Sequence, residues 1–232
     1  MNDDSKQTEQ LTVEDLSVRL SGNPVLSGIS CSIGPGECLA VVGRTGSGKT
    51  TLVNALAGTI FHAGHVRFHP INGKEPKRLV IGRQHRFKNL SNLQSFYYQQ
   101  RFNSFDADDS RNVEDELKET GADEASIDRM LHTMGIDHLR QTRLIQLSNG
   151  EHKRFQVAEA LLKQADWLLL DCPYIGLDVS ARKMLNQVLD ELVQKGIRIL
   201  LVTGRTDIPS CVTHVAVLDQ GNLGKIMTRE AF

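Results

Sequence analysis

What this chain lacks narrows it first. No apolar run approaches the roughly 18 residues that a transmembrane helix needs. The opening residues, Met1-Asn2-Asp3-Asp4-Ser5-Lys6-Gln7, are polar and acidic, which is wrong for a secretory signal. The four cysteines, Cys31, Cys38, Cys172 and Cys211, form no C-x-x-C pair. They therefore offer neither a zinc site nor a disulfide framework, and are expected as free, mostly buried thiols. A formal net charge of −1 gives no electrostatic case for direct nucleic-acid binding or for an anionic membrane surface. No internal repeat is visible. What remains is ordinary: 232 residues, 40% hydrophobic and 24% charged, enough for one large or two small domains with a real core. The cytoplasm is the default location, with the inner face of a membrane as the variant for a peripheral subunit.

Against that background one stretch stands out. Gly43-Arg44-Thr45-Gly46-Ser47-Gly48-Lys49-Thr50 fits the phosphate-loop pattern G-x-x-x-x-G-K-[ST] at every fixed position. An apolar run, Cys38 to Val42, leads into it and reads as a buried strand. Thr51 to Ala57 leaves it and reads as a helix closed by Gly58. Glycines let successive backbone N–H groups face one phosphate, and the helix N-terminus adds partial positive charge. Lys49 supplies a point charge for the β/γ-phosphates, and the Thr50 hydroxyl suits Mg²⁺. A glycine-rich turn that binds nothing would need neither the Lys-Thr pair nor the strand and helix on its flanks.

The rest of the chain alternates. Residues 1–9 read as a disordered lead-in and 10–232 as one domain. Leu11–Leu20 and Val25–Ile33 are β-prone and separated by Ser21-Gly22-Asn23-Pro24, which reads as an antiparallel hairpin. His65–Phe68 and Arg78–Ile81 are short strand candidates. Composition then turns polar, and a mainly helical insert is expected over roughly 85–165. Its helical spacing shows in Val113/Leu117 and in Ile127/Met130/Leu131/Met134. The cluster Phe96-Tyr97-Tyr98 with Arg101 and Phe102 could stack on bases, but small-domain core is the more ordinary use of aromatics. Leu147-Ser148-Asn149-Gly150-Glu151 has helix-start chemistry. Trp167 to Asp171 is a buried strand ending in a carboxylate. Asp178 suits an N-cap ahead of a striped helix from Ala181 to Leu192. Ile197–Val202 and Val215–Leu218 are further buried strands. Strands alternating with helices predict an α/β fold with a mostly parallel sheet.

Taken together, the phosphate loop, the helical insert, Leu147 to Glu151 and the strand ending in Asp171 resemble the nucleotide-binding domain of ABC ATPases. The resemblance covers roughly residues 11–225. Within that family, Leu147 to Lys153, the Gly176-Leu177-Asp178 turn and Arg205 to Pro209 look most like cassettes related to the photorepair protein and to ModF. It implies a P-loop ABC cassette with an antiparallel N-terminal β region, binding ATP and Mg²⁺. Gly43 through Thr51 and Gln84 would hold ATP. Thr50, Gln84 and Asp171 would hold the metal. Ser148, Asn149, Gly150 and Glu151 would form the signature loop that meets the ATP of a second cassette, homo- or heterodimeric, in a head-to-tail pair. Asp178 would be the D-loop aspartate at that seam. A transmembrane permease subunit is the other implied partner. The family thus implies ATP hydrolysis in a paired cassette or in a transporter subunit, or ATP binding without hydrolysis in a regulatory switch.

Three positions depart from the family pattern. Cys172 stands where a glutamate normally polarises the attacking water. A thiol, with a reference pKa of about 8.5, is a poor substitute. Gly204 follows Val202-Thr203 where the switch histidine is expected, and His214 lies too far along the chain to replace it. Leu20 stands where an aromatic would stack on adenine. No residue is therefore assigned as catalytic, and slow hydrolysis in the chain's own site is the expectation.

Overall fold

A computed structural model describes residues 10–71, 73–82, 86–88, 95–97 and 110–232. The chain divides into two compact units. The first holds the residues through Val80, Asp166–Tyr174 and Leu189–Phe232; the second holds Ile81–Ala165 and Ile175–Val188.

The first unit is built on two sheets. The strands β1 (Leu11–Leu20), β2 (Asn23–Ile33), β3 (Leu39–Val42), β4 (Ala63–Phe68) and β5 (Arg78–Ile81), with helix α1 (Lys49–Leu56), come first in the chain. β2, β1 and β4 make an antiparallel sheet in that order. Its hairpin turns more tightly than the turn residues suggest. Asn23 and Pro24 already pair with Leu20 and Arg19, and only Ser21 and Gly22, both at positive φ, make the turn. Two left-handed residues match the right-handed strand twist, which a broader turn would not.

The second sheet uses β3 and β5 together with strands from the end of the chain: β8 (Trp167–Asp171), β9 (Arg198–Thr203), β10 (His214–Asp219), β11 (Asn222–Leu223) and β12 (Met227–Thr228). The order is β11-β10-β3-β9-β8-β5, with β12 also on β10. The β10/β3, β3/β9 and β9/β8 pairs are all parallel. Both faces of the central strands are buried, which explains the continuous apolar runs of β3 and β8. Register decides function here: Val42 faces Thr203, and Asp171 faces Val202. The carboxyl ends of β3, β9 and β8 thus finish side by side, the edge where open α/β sheets bind ligands. Below that edge the fully buried Trp167 meets the Phe68 ring edge-on, with centroids 5.1 Å apart. The Arg78 guanidinium lies over the Phe68 ring, 4.7 Å from its centroid.

In the second unit β6 (Arg86–Lys88) and β7 (Ser95–Tyr97) pair antiparallel. The helices α2 (Val113–Lys118), α3 (Glu124–Met134) and α4 (Asn149–Leu162) follow, and α5 (Val179–Gln194) begins here. α2 and α3 start on Asn112 and Asp123, whose side chains accept from Asp115 N and Ser126 N. Val113, Leu117, Ile127, Leu131, Met134 and Phe155 are buried, while Met130 is half-buried. Tyr98, Arg101 and Phe102 of the aromatic cluster lie outside the described residues. Among the described residues no helix is long and apolar enough to cross a membrane. The four cysteines are free, but only Cys38 and Cys172 are buried; Cys31, on the edge strand β2, and Cys211, in the turn before β10, are half-buried. Burial still pushes the Cys31 thiol up to about 11 and that of Cys211 to about 12.

Candidate nucleotide site

The phosphate loop leaves β3 at Gly43 and enters α1 through Gly48, a left-handed N-cap at φ 104°. Gly43 cannot carry a side chain: an added Cβ would run into the backbone oxygen of Leu218 and stand 2.7 Å from Ser47 Oγ. The loop is therefore pressed against β10 and shaped by that contact. Lys49 is buried, and its Nζ donates to the carbonyls of Gly43 at 2.6 Å and Arg44 at 2.8 Å. The ammonium thus sits inside the loop curve. Ser47 is also buried, and its Oγ has no hydrogen-bond partner among the described residues. A buried hydroxyl of this kind in a loop of N–H donors fits a phosphate oxygen as the missing partner. Arg44 and Thr45 are exposed, and Thr51 is half-buried on α1.

At the end of β8 the buried Asp171 accepts from the Thr50 hydroxyl at 2.9 Å. A hydroxyl and a carboxylate brought together beside a phosphate loop are hard oxygen donors of the type Mg²⁺ takes. The donor set therefore fits, and Thr50 and Asp171 would hold the ion, which when bound would offset phosphate charge. Gln84, the third expected metal and nucleotide contact, lies outside the described residues.

The departures also have places. Cys172 follows Asp171 in a left-handed conformation at φ 48°, and its N–H donates to Val202 O at 2.8 Å. Its side chain is only 6% exposed. Gly204 follows the buried Thr203 at the end of β9. His214 opens β10 in register with Leu39, at the opposite end of β3 from the phosphate loop, with Nε2 3.6 Å from the Glu37 carboxylate. It cannot stand in for a switch histidine. Leu20 is 45% exposed at the end of β1.

The signature residues and Asp178 belong to the second unit. Ser148 caps α4, and a full capping box forms: Glu151 N donates to Ser148 Oγ at 3.3 Å, and Ser148 N donates to Glu151 Oε2 at 2.7 Å. Burial pushes the Glu151 carboxyl up, but the Ser148 hydrogen bonds outweigh it and hold the group below the ordinary glutamate range. Replacing Ser148 by alanine is expected to cost about 1 kcal/mol of stability, read by urea unfolding. Gly150 packs against Ala181, and Asp178 caps α5 by accepting from Ala181 N at 2.7 Å. Two further contacts were not legible beforehand. Asn149 Nδ2 donates to Gly176 O at 2.9 Å. The buried Lys153 donates to the carbonyl of Gly82, ahead of Gln84, and to Gln156 Oε1 at 3.0 Å. Neither has a signal in local spacing.

A parallel-sheet edge bearing a phosphate loop, a lysine and a hydroxyl–carboxylate pair defines a P-loop nucleotide-binding protein. The family model described as ABC transporter matches residues 26–174, and the chain belongs to that family. Over 200 residues it is 32% identical to the taurine import ATP-binding protein TauB of Chromobacterium violaceum, covering 83% of this chain and 72% of that one. It is 29% identical to the ABC transporter ATP-binding protein ModF of Escherichia coli over 217 residues, covering 91% of this chain but 43% of ModF, so it spans less than half of that relative. The structure of cbiO1 from Clostridium perfringens, part of the ABC transporter complex cbiONQ, shares the fold, with a TM-score of 0.74 at 23% identity over 97% of this chain and 90% of that one. ABC ATP-binding domains bind ATP, typically with Mg²⁺, and are ATPases as a class.

Proposed function

We propose that residues 10–232 form one ABC cassette, with the second unit as its helical subdomain, that holds ATP and Mg²⁺ in a weakly hydrolysing site. Gly43 to Thr51 and Gln84 grip the nucleotide, and Thr50 and Asp171 face the metal. Ser148 to Glu151 meet the ATP of a second cassette head to tail, with Asp178 at the seam. The observation that carries this reading is the contrast along one sheet edge. The phosphate loop, the buried Lys49 and the Thr50–Asp171 pair lie together at that edge, yet the positions after β8 and β9 hold a buried thiol and a glycine. Neither provides a carboxylate or imidazole to take or place a proton, a function worth about 10²–10⁴-fold.

A second reading, a transporter subunit docked on a permease at the inner membrane face, is favoured by the likeness to TauB, an import ATP-binding protein by name. Both readings share the site and the cytoplasmic side. The test is made on the full chain, with sedimentation velocity and single-turnover hydrolysis of labelled ATP. ATP-dependent association with turnover at least about 10²-fold below an ordinary ABC ATPase is expected. A single-turnover rate within a few-fold of such an enzyme would overturn the weak-site reading.

A further inference from the structure

Asn149 occupies a position where the family signature carries glycine, and a side chain there would be expected to crowd an approaching nucleotide. Its side chain is otherwise engaged. The amide Nδ2 donates to the carbonyl of Gly176, 27 residues along the chain, at 2.9 Å. Gly176 sits at φ 75°, and a Cβ on it would collide with that same amide nitrogen. The neighbouring residue supplies a second contact. Gly150 is so close to α5 that a Cβ would stand 2.9 Å from Ala181 Cβ. The turn that receives these contacts is itself fixed. Asp178 Oδ1 accepts from Ala181 N at 2.7 Å, and Arg182 Nε donates to Leu177 O at 3.1 Å. The first turn of α4 and the turn at 176–182 are therefore joined at two adjacent points, one polar and one apolar.

We propose that Asn149 is a positioning residue that locks the turn carrying Asp178 to the signature turn, so that the two loops offered to a second cassette move as one block. The proposal rests on the reading that Ser148 to Glu151 meet a partner's nucleotide. It also explains the departure from glycine: the side chain folds back onto its own chain, at the Gly176 carbonyl. A neutral hydrogen bond of this kind is worth roughly a fivefold change in an equilibrium.

The test compares the unmodified full chain with Asn149→Gly and Asn149→Asp. Asn149→Asp keeps the size and places an acid in the first turn of α4, where it is favoured. A weakness in this variant is therefore not helix melting; it reflects a carboxylate facing a carbonyl. Hydrogen exchange at residues 175–181 is expected to quicken roughly fivefold in both variants, while the helix amides of α4 stay as they were. The ATP-driven association seen by sedimentation is expected to weaken in both variants. Quickened exchange confined to 175–181, with the α4 amides unmoved, is what a merely structural residue would not give. Unchanged exchange at 175–181 in both variants overturns the proposal, as does quickened exchange that spreads equally through the amides of α4. If the unmodified chain shows no ATP-driven association, the self-pairing form of the proposed function fails, while the exchange experiment still decides whether Asn149 locks the turn.

Discussion

Replacing Cys172 by glutamate is expected to raise the single-turnover rate of ATP hydrolysis by about 10²-fold or more, within the 10²–10⁴-fold range of a positioned proton acceptor. The position suits the change. Residue 172 directly follows Asp171, at the sheet edge where the phosphate loop leaves β3. Its backbone already has the left-handed φ of 48°, so glutamate inherits a conformation the chain has accepted rather than creating one. The site is 6% exposed, so a new carboxyl is partly desolvated, which raises its proton affinity toward neutral pH. A base tuned that way works better than one at the ordinary glutamate value. The added volume costs about 1–3 kcal/mol of stability, so unfolding is measured alongside the rate. Gly204 can be changed in the same background. A Cβ there would stand 3.6 Å from Asp207 Oδ2, an ordinary contact, and Gly204→His is expected to add to the gain. A folded Cys172→Glu chain with unchanged ATP affinity and an unchanged rate would show that the missing glutamate is not what limits turnover.

Much of this site could be read before the fold was known, for a physical reason. The phosphate loop is a local device. Gly43 to Thr50 carry their own conformational requirements, and the flanking strand and helix announce themselves by apolar pattern. The capping box at Ser148 and Glu151 is local too, with spacing set by one helical turn. The same holds for Asp178 ahead of α5. What could not be read are pairings set by tertiary structure. Asn149 looks like a defect in a signature until its amide is seen on Gly176. Lys153 looks like a surface cation on a polar helix, yet it is buried with its ammonium on Gly82. The tight turn at Ser21 and Gly22 was blurred by Asn23 and Pro24, which favour turns in isolation but were drawn into β2 by pairing with β1. Pattern locates what a segment can do by itself; partners come from the register of strands far apart in the chain.

Removing the Lys49 ammonium is expected to weaken ATP binding by about 10²-fold, measured as the Kd of a fluorescent ATP analogue for Lys49→Ala. The estimate follows from the bonds at stake. Nζ lies inside the loop and donates to Gly43 O at 2.6 Å and to Arg44 O at 2.8 Å. A charge-assisted hydrogen bond is worth roughly 1.5–3 kcal/mol, and every 1.4 kcal/mol is tenfold in Kd. The ammonium here bonds the loop carbonyls, and the phosphate oxygens of a bound nucleotide would compete with them for its protons. Alanine forfeits both, so the loop loses shape as well as charge. Lys49→Arg is expected to fail as well, because a planar guanidinium cannot enter a curve sized for a compact ammonium held by two backbone oxygens. Unchanged affinity in Lys49→Ala would remove this loop as the phosphate site. Unchanged affinity in Lys49→Arg alone would show that charge near the loop, rather than the ammonium within it, is what holds the nucleotide.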